Sequence, residues 1–154
     1  MPASPEPISA TARPASASLT AALAAAAVLG APLGHDHASI SLSDLHTPWD
    51  QIERRLRAAA EADLVVFLYN PASQARTWQL PRALAVLSEQ RLAGTPVGWV
   101  RDASRGGEQF GVATLEDFDP AVANMHTMVV IGSSRTKVVA GRMVTPREYR
   151  WSAP

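Results

Sequence analysis

Residues 64–69, LVVFLY, form an unbroken apolar run between Asp63 and the pair Asn70-Pro71, and no other stretch restricts the fold as tightly. A run this short, rich in β-branched and aromatic side chains and bounded by polar residues, predicts a strand buried on both faces, in the middle of a sheet. Pro71 has no N–H to donate and disfavours the right-handed helical region for Asn70, so the backbone must turn where the run ends. Polar groups then gather at the carboxyl end of the strand. In open α/β sheets that is where ligands settle, because helix starts and loop amides converge there above a dry core. Tyr-Asn-Pro also serves as an ordinary turn, and spacing alone leaves both readings open.

The flanking segments supply the rest of an α/β pattern. Residues 1–18 are rich in Pro, Ala and Ser without an apolar period, the composition of a disordered leader. The Ala-rich run 19–29 favours helix and stops at Gly30 with Pro32 beyond. Arg13 ahead of this run also allows a signal peptide and an exported protein, but the run is mostly alanine and residues 30–33 (GAPL) lack a small-x-small cleavage site. It is too short to span a bilayer.

His35, Asp36, His37, Asp44 and His46 invite a metal hypothesis, since imidazole and carboxylate are the ligands left when cysteine is missing. Their spacing provides no tight second pair, so no metal is expected. Residues 38–42 alternate in polarity, with Ile40 and Leu42 on one side, as a strand does. Thr47-Pro48 should open a helix, Thr47 capping it and Asp50 and Glu53 meeting the dipole, with Ile52, Leu56 and Ala59 or Ala60 as its apolar stripe. A second helix is predicted over 78–90, with Leu80, Leu84 and Val86 or Leu87 turned inward. Residues 96–100 read as a strand, 104–108 as a glycine-bearing turn and 109–114 as the hairpin partner. Residues 114–119 suggest a helical turn. Residues 125–131, MHTMVVI, form the last strong strand, followed by Gly132-Ser133-Ser134-Arg135-Thr136, a cluster suited to close approach of a ligand or to a simple turn. Residues 143–154 read as a tail that docks or frays. Neither G-x-G-x-x-G nor G-x-x-x-x-G-K occurs, which disfavours a Rossmann dehydrogenase or a P-loop kinase.

Composition narrows the function classes. A chain of 154 residues with 14 basic and 14 acidic side chains makes one compact domain and lacks the phosphate-neutralising excess that nucleic-acid binding needs. No membrane partner is expected. Lys137 is the only lysine, so positive charge resides on Arg, suited to bidentate capture of carboxylates. The absence of cysteine excludes disulfides and thiolate nucleophiles and agrees with a cytoplasmic protein.

Five segments in order, residues 20–33 (TAALAAAAVLGAPL), 40–49 (ISLSDLHTPW), 68–76 (LYNPASQAR), 97–108 (VGWVRDASRGGE) and 131–136 (IGSSRT), resemble the C-terminal half of the tetrapyrrole methylases. These are S-adenosylmethionine-dependent enzymes of corrin biosynthesis. The likeness is strongest to the ring-contracting branch that methylates precorrin-3B at carbon 17. The resemblance implies an α/β domain over residues 19–147 with a mixed sheet flanked by helices, a tail at 148–154, and the methyl donor in a cleft between two such halves, the tetrapyrrole lying over it. It places Thr20, Ala21, Tyr69, Asn70, Ala103 and Gly132 against the donor. Asp44 and Arg76 are candidates for the acid-rich macrocycle on charge grounds, Asp44 acting through a pyrrole N–H or a bound water. No catalytic residue is nominated. The N-terminal glycine-proline motif, the Gly-Asp-Pro loop and the Pro-Gly-Val before the threonine are missing; Ser16-Ala17-Ser18-Leu19 stands in the last of these places. The expectation is a truncated form (a fragment, a mis-set reading frame or a product of gene decay) for which a separate N-terminal half is a candidate partner, with two alternatives: a non-catalytic binding or homodimerisation module, or the exported protein.

Overall fold

The computed structural model describes residues 16–147. The tail assigned to 148–154 therefore lies outside the described residues, as does the leader up to residue 15. The last three residues of that leader are corrected: Ser16 to Ser18 already belong to the first helix, α1 (Ser16–Leu29), because serine is tolerated at a helix start and the alanine run propagates from it. The chain continues through β1 (Gly30–Ala31), β2 (His37–Ser41), α2 (Trp49–Glu61), β3 (Val65–Tyr69), α3 (Gln79–Ser88), β4 (Pro96–Arg101) and β5 (Gln109–Thr114). A 3-10 turn (Pro120–Val122), β6 (Thr127–Ile131), β7 (Lys137–Val139) and β8 (Arg142–Val144) complete it. Among the described residues no helix is long and apolar enough to cross a membrane.

Five strands form the main sheet in the order β2-β3-β6-β4-β5. β2 runs parallel to β3, while β6 is antiparallel to both β3 and β4, and β5 is antiparallel to β4. β3 is internal, as its apolar run requires, but β6 holds the middle. Period-2 alternation divides the core. Val66, Leu68, Val129 and Ile131 face α2 and α3, whereas Val65, Phe67, Val100, Met128 and Val130 face α1. The predicted stripe of α2 is the buried one: Ile52, Leu56, Ala59 and Ala60. Its cap is not. Pro48 takes the N-cap position with no side-chain bond to the free amides, because the helix begins one residue after the proline and leaves Thr47 too far back to reach them.

Alanine lets α1 lie close to the sheet. Ala22, Ala25, Ala26 and Leu29 are its buried face, and beneath them β4 carries Gly98. A Cβ at Gly98 would stand 2.6 Å from Met143 Sδ and 2.8 Å from Leu29 Cδ1, so the glycine is set by close approach. The residues read as a tail from 143 onward are partly strand. β8 pairs parallel with β1 and antiparallel with β7 in a three-stranded sheet, and the Thr145 amide continues it by donating to Ala31 O at 3.0 Å. The predicted helical turn after β5 is a hydrogen-bonded turn, Phe118 N–H donating to Thr114 O at 2.9 Å. The 3-10 helix follows it, with Asp119 accepting from the Ala121 amide.

A polar knot closes the sheet at the amino end of β3. Arg91, buried, donates to Asp63 Oδ1 at 2.7 Å, to Leu64 O at 2.6 Å and to Ala60 O at 3.1 Å. Asp63 also accepts from the Ser134 amide at 2.8 Å and from the Ser134 hydroxyl. Burial alone would raise the Asp63 pKa, but the Ser134 hydroxyl and amide, Arg91 and Arg135 together outweigh it and hold the carboxyl below its ordinary 3.8. A carboxylate with a depressed folded pKa contributes stability that is fully present above its unfolded pKa and is lost progressively as pH falls below that ordinary value and through the lower folded one. Urea unfolding across that window should therefore show a steeper acid loss for the native chain than for Asp63→Asn; superimposable acid limbs would count against the knot.

Candidate functional site

Strand direction decides which loops meet. β3 and β4 are each antiparallel to β6, hence parallel to one another, so their carboxyl ends and that of β2 share one rim. β6 starts at that rim and ends at the opposite one. Both β3 and β4 stop in a left-handed residue, Asn70 (φ 52°) and Asp102 (φ 53°), the residue types that accept this conformation most readily after glycine. Asn70 Nδ2 donates to Ser41 Oγ at 3.2 Å. The Asp102 amide donates to His126 O at 3.1 Å, joining the end of β4 to the start of β6.

Between these turns and α1 opens a cleft of about 360 Å³, within the range of about 300–1,000 Å³ usual for small-molecule sites. Ala21, Val100, Ala103 and Met128 supply apolar wall, with Tyr69 beside them; Asn70 and Asp102 bring an amide and a carboxylate to its edge. Small side chains at 21 and 103 keep the slot open. Met125, His126 and Arg105 stand at the mouth, all exposed.

Of the residues nominated from sequence, Ala21, Tyr69, Asn70 and Ala103 come together in this cleft. Thr20 precedes Ala21 on α1, exposed and outside the lining. Gly132 is a correction. It lies at the opposite rim, its amide donating to Pro96 O at 2.8 Å, and a Cβ there would stand 2.6 Å from Thr136 Cβ. The glycine makes room for Thr136, and Ser134 serves Asp63; this loop packs the fold and does not face the cleft.

Asp44 and Arg76 sit on loops at the correct rim but outside the cleft lining. Gln79 Nε2 donates to both Asp44 oxygens, at 3.1 and 3.3 Å. Arg76 donates to Asn70 O at 3.2 Å and to Ser43 Oγ at 3.1 Å. Sequence reasoning missed Asp102 and the amino end of β6. A signal for the latter existed: the β4–β5 hairpin delivers the chain to the far rim, and the twelve residues between Thr114 and Thr127 are enough to carry it back before β6 begins. Among the described residues no three His, Cys, Asp or Glu side chains gather as metal ligands; His35 Nδ1 accepts from the Asp36 amide instead.

Fold and cleft define an α/β domain with an open cleft at the carboxyl ends of its strands. The family model of the tetrapyrrole (corrin/porphyrin) methylases matches residues 17–119. Over 131 residues, 85% of this chain and 54% of the other, the chain is 48% identical to a probable cobalt-factor III C(17)-methyltransferase of Salmonella typhimurium. It is equally identical, over 136 residues and the same shares of each, to a precorrin-3B C(17)-methyltransferase of a Sinorhizobium species. The crystal structure of the methyltransferase CobJ superposes with a TM-score of 0.77 at 39% identity, covering 81% of this chain and 52% of that one. The chain belongs to the tetrapyrrole methylase family. It spans about half the length of the curated relatives it matches.

Proposed function

We propose that this chain supplies one wall of an S-adenosylmethionine-dependent methyltransferase of cobalamin biosynthesis, acting at carbon 17 of a precorrin-type tetrapyrrole. One observation carries the reading: Ala21, Tyr69, Asn70 and Ala103, drawn from three separate elements, line a single cleft in a chain 48% identical to two C(17)-methyltransferases. The residues suit the donor. Ala21, Val100, Ala103 and Met128 offer an apolar slot for a purine, Asn70 an amide for its polar edge, and Asp102 a carboxylate for hydroxyl or ammonium groups. When bound, S-adenosylmethionine supplies a methyl group on a positively charged sulfur. The task left to the protein is alignment of an electron-rich ring carbon and exclusion of water, and alignment of that kind contributes about 7–11 kcal/mol. Asp44, exposed at the same rim, is proposed to meet a pyrrole N–H or a bound water of the substrate.

One wall aligns poorly. Calorimetric titration with S-adenosylhomocysteine should show no micromolar binding by this chain alone, and binding at least tenfold tighter once the N-terminal half of the Sinorhizobium relative is added. Micromolar binding by the isolated chain would refute the half-site; an absence of binding in the mixture would refute the donor assignment.

A further inference from the structure

We infer that Arg76 is a positioning residue for the cleft: its guanidinium clamps Asn70 in the left-handed turn that presents residue 70 to the ligand, and it does not itself touch the ligand. Asn70 lines the cleft at φ 52°. A residue before proline prefers extended backbone, so this conformation is strained and persists only when neighbours over-determine it. Ser41 holds the Asn70 side chain, and Arg76 holds its backbone carbonyl. Nη1 donates to Asn70 O at 3.2 Å and Nη2 to Ser43 Oγ at 3.1 Å, so one rigid fork joins the turn after β3 to the loop after β2. Nε is sealed from solvent without a partner among the described residues, which identifies a packed arginine and not a solvated one.

The base of the clamp is itself fixed. Ser73 and Arg76 exchange backbone hydrogen bonds at 3.0 and 3.2 Å, and the Arg76 amide also donates to Ser73 Oγ at 3.1 Å. Arg76 is absent from the cleft wall, so within this chain its link to a ligand in the cleft runs through Asn70, whose carbonyl it holds. The ligand part of this inference rests on the function proposed above; the conformational part does not.

The test is a double-mutant cycle with two readouts. In the mixture with the N-terminal half, Arg76→Gln should weaken S-adenosylhomocysteine about tenfold, the loss of one charge-assisted hydrogen bond. In an Asn70→Gly background the same change should cost less than about twofold, since glycine adopts positive φ unaided. An equal loss in both backgrounds, the mark of direct contact, would overturn the inference, and so would no loss in either. The second readout needs no ligand. In the chain alone, the strong intraresidue amide-to-Hα Overhauser effect of a positive-φ Asn70 should weaken in Arg76→Gln, and its full retention would overturn the clamp. If the unsubstituted mixture binds nothing, the proposed function fails while this readout still decides. Should Arg76→Gln not fold, Ser43→Ala removes one arm of the fork and should weaken the same signal in part; an unaltered signal there contradicts the clamp.

Discussion

Phe67→Ala should lower the unfolding free energy by about 3–5 kcal/mol, a large share of the 5–15 kcal/mol or so that a domain of this size possesses. Phe67 is fully buried at the centre of the α1-facing core, among Ala22, Ala25, Leu29, Val100, Met128 and Val130. The alanines of α1 cannot fill the space it would vacate, so the cavity term adds in full to the lost burial. Val100 and Met128 also form wall of the cleft, and the same substitution should loosen that cleft. Urea unfolding measures the first effect. Leu23→Ala, on the exposed side of α1, serves as the control and should change stability by no more than about 0.5 kcal/mol; equal effects at the two positions would contradict the packing described.

The second large effect is at the opposite rim. Asp63→Ala should cost about 1.5–3 kcal/mol, the loss of a charge-assisted bond, because Arg91 is only 3% exposed and would keep only the Ala60 and Leu64 carbonyls, while the 41% exposure of Asp63 keeps the cost below that of a fully buried pair. Part of that cost is backbone, since Asp63 has φ 56° and alanine accepts the left-handed region poorly. Asp63→Asn separates the contributions: asparagine tolerates the conformation but carries no charge. Adding Arg91→Met to Asp63→Ala should restore part of the loss, because it also removes the buried charge that the single substitution leaves without its carboxylate. If the double variant is as unstable as the sum of the singles, the pair is not coupled and the knot is misread.

The sequence made the elements legible where burial imposes a period. The apolar run at 64–69, the alternation around Ile40 and Leu42, and the stripe of Ile52 and Leu56 each report a buried face directly. Strand direction was not legible from the same signals. An all-apolar stretch such as residues 128–131 reads the same for either direction, so Gly132 looked like a third rim loop when it closes the other end of the sheet. Arg76 illustrates a related limit. Charge identifies an arginine that can bind an anion, but only coordinates show that Asn70 O and Ser43 Oγ already occupy its fork. Ala21 and Ala103 were reached through family resemblance alone, since no local pattern marks an alanine as the wall of a slot.

The proposed function requires the ligand to sit at the carboxyl rim of β2, β3 and β4, away from the end of β6. Amide shifts of this chain, labelled with 15N and titrated with S-adenosylhomocysteine in the presence of the N-terminal half of the Sinorhizobium relative, test it most directly. The account predicts movement at Ala21, Tyr69, Asn70, Asp102 and Ala103 with Gly132, Ser133 and Thr136 unmoved, whereas the largest shifts at Gly132 and its neighbours would contradict it.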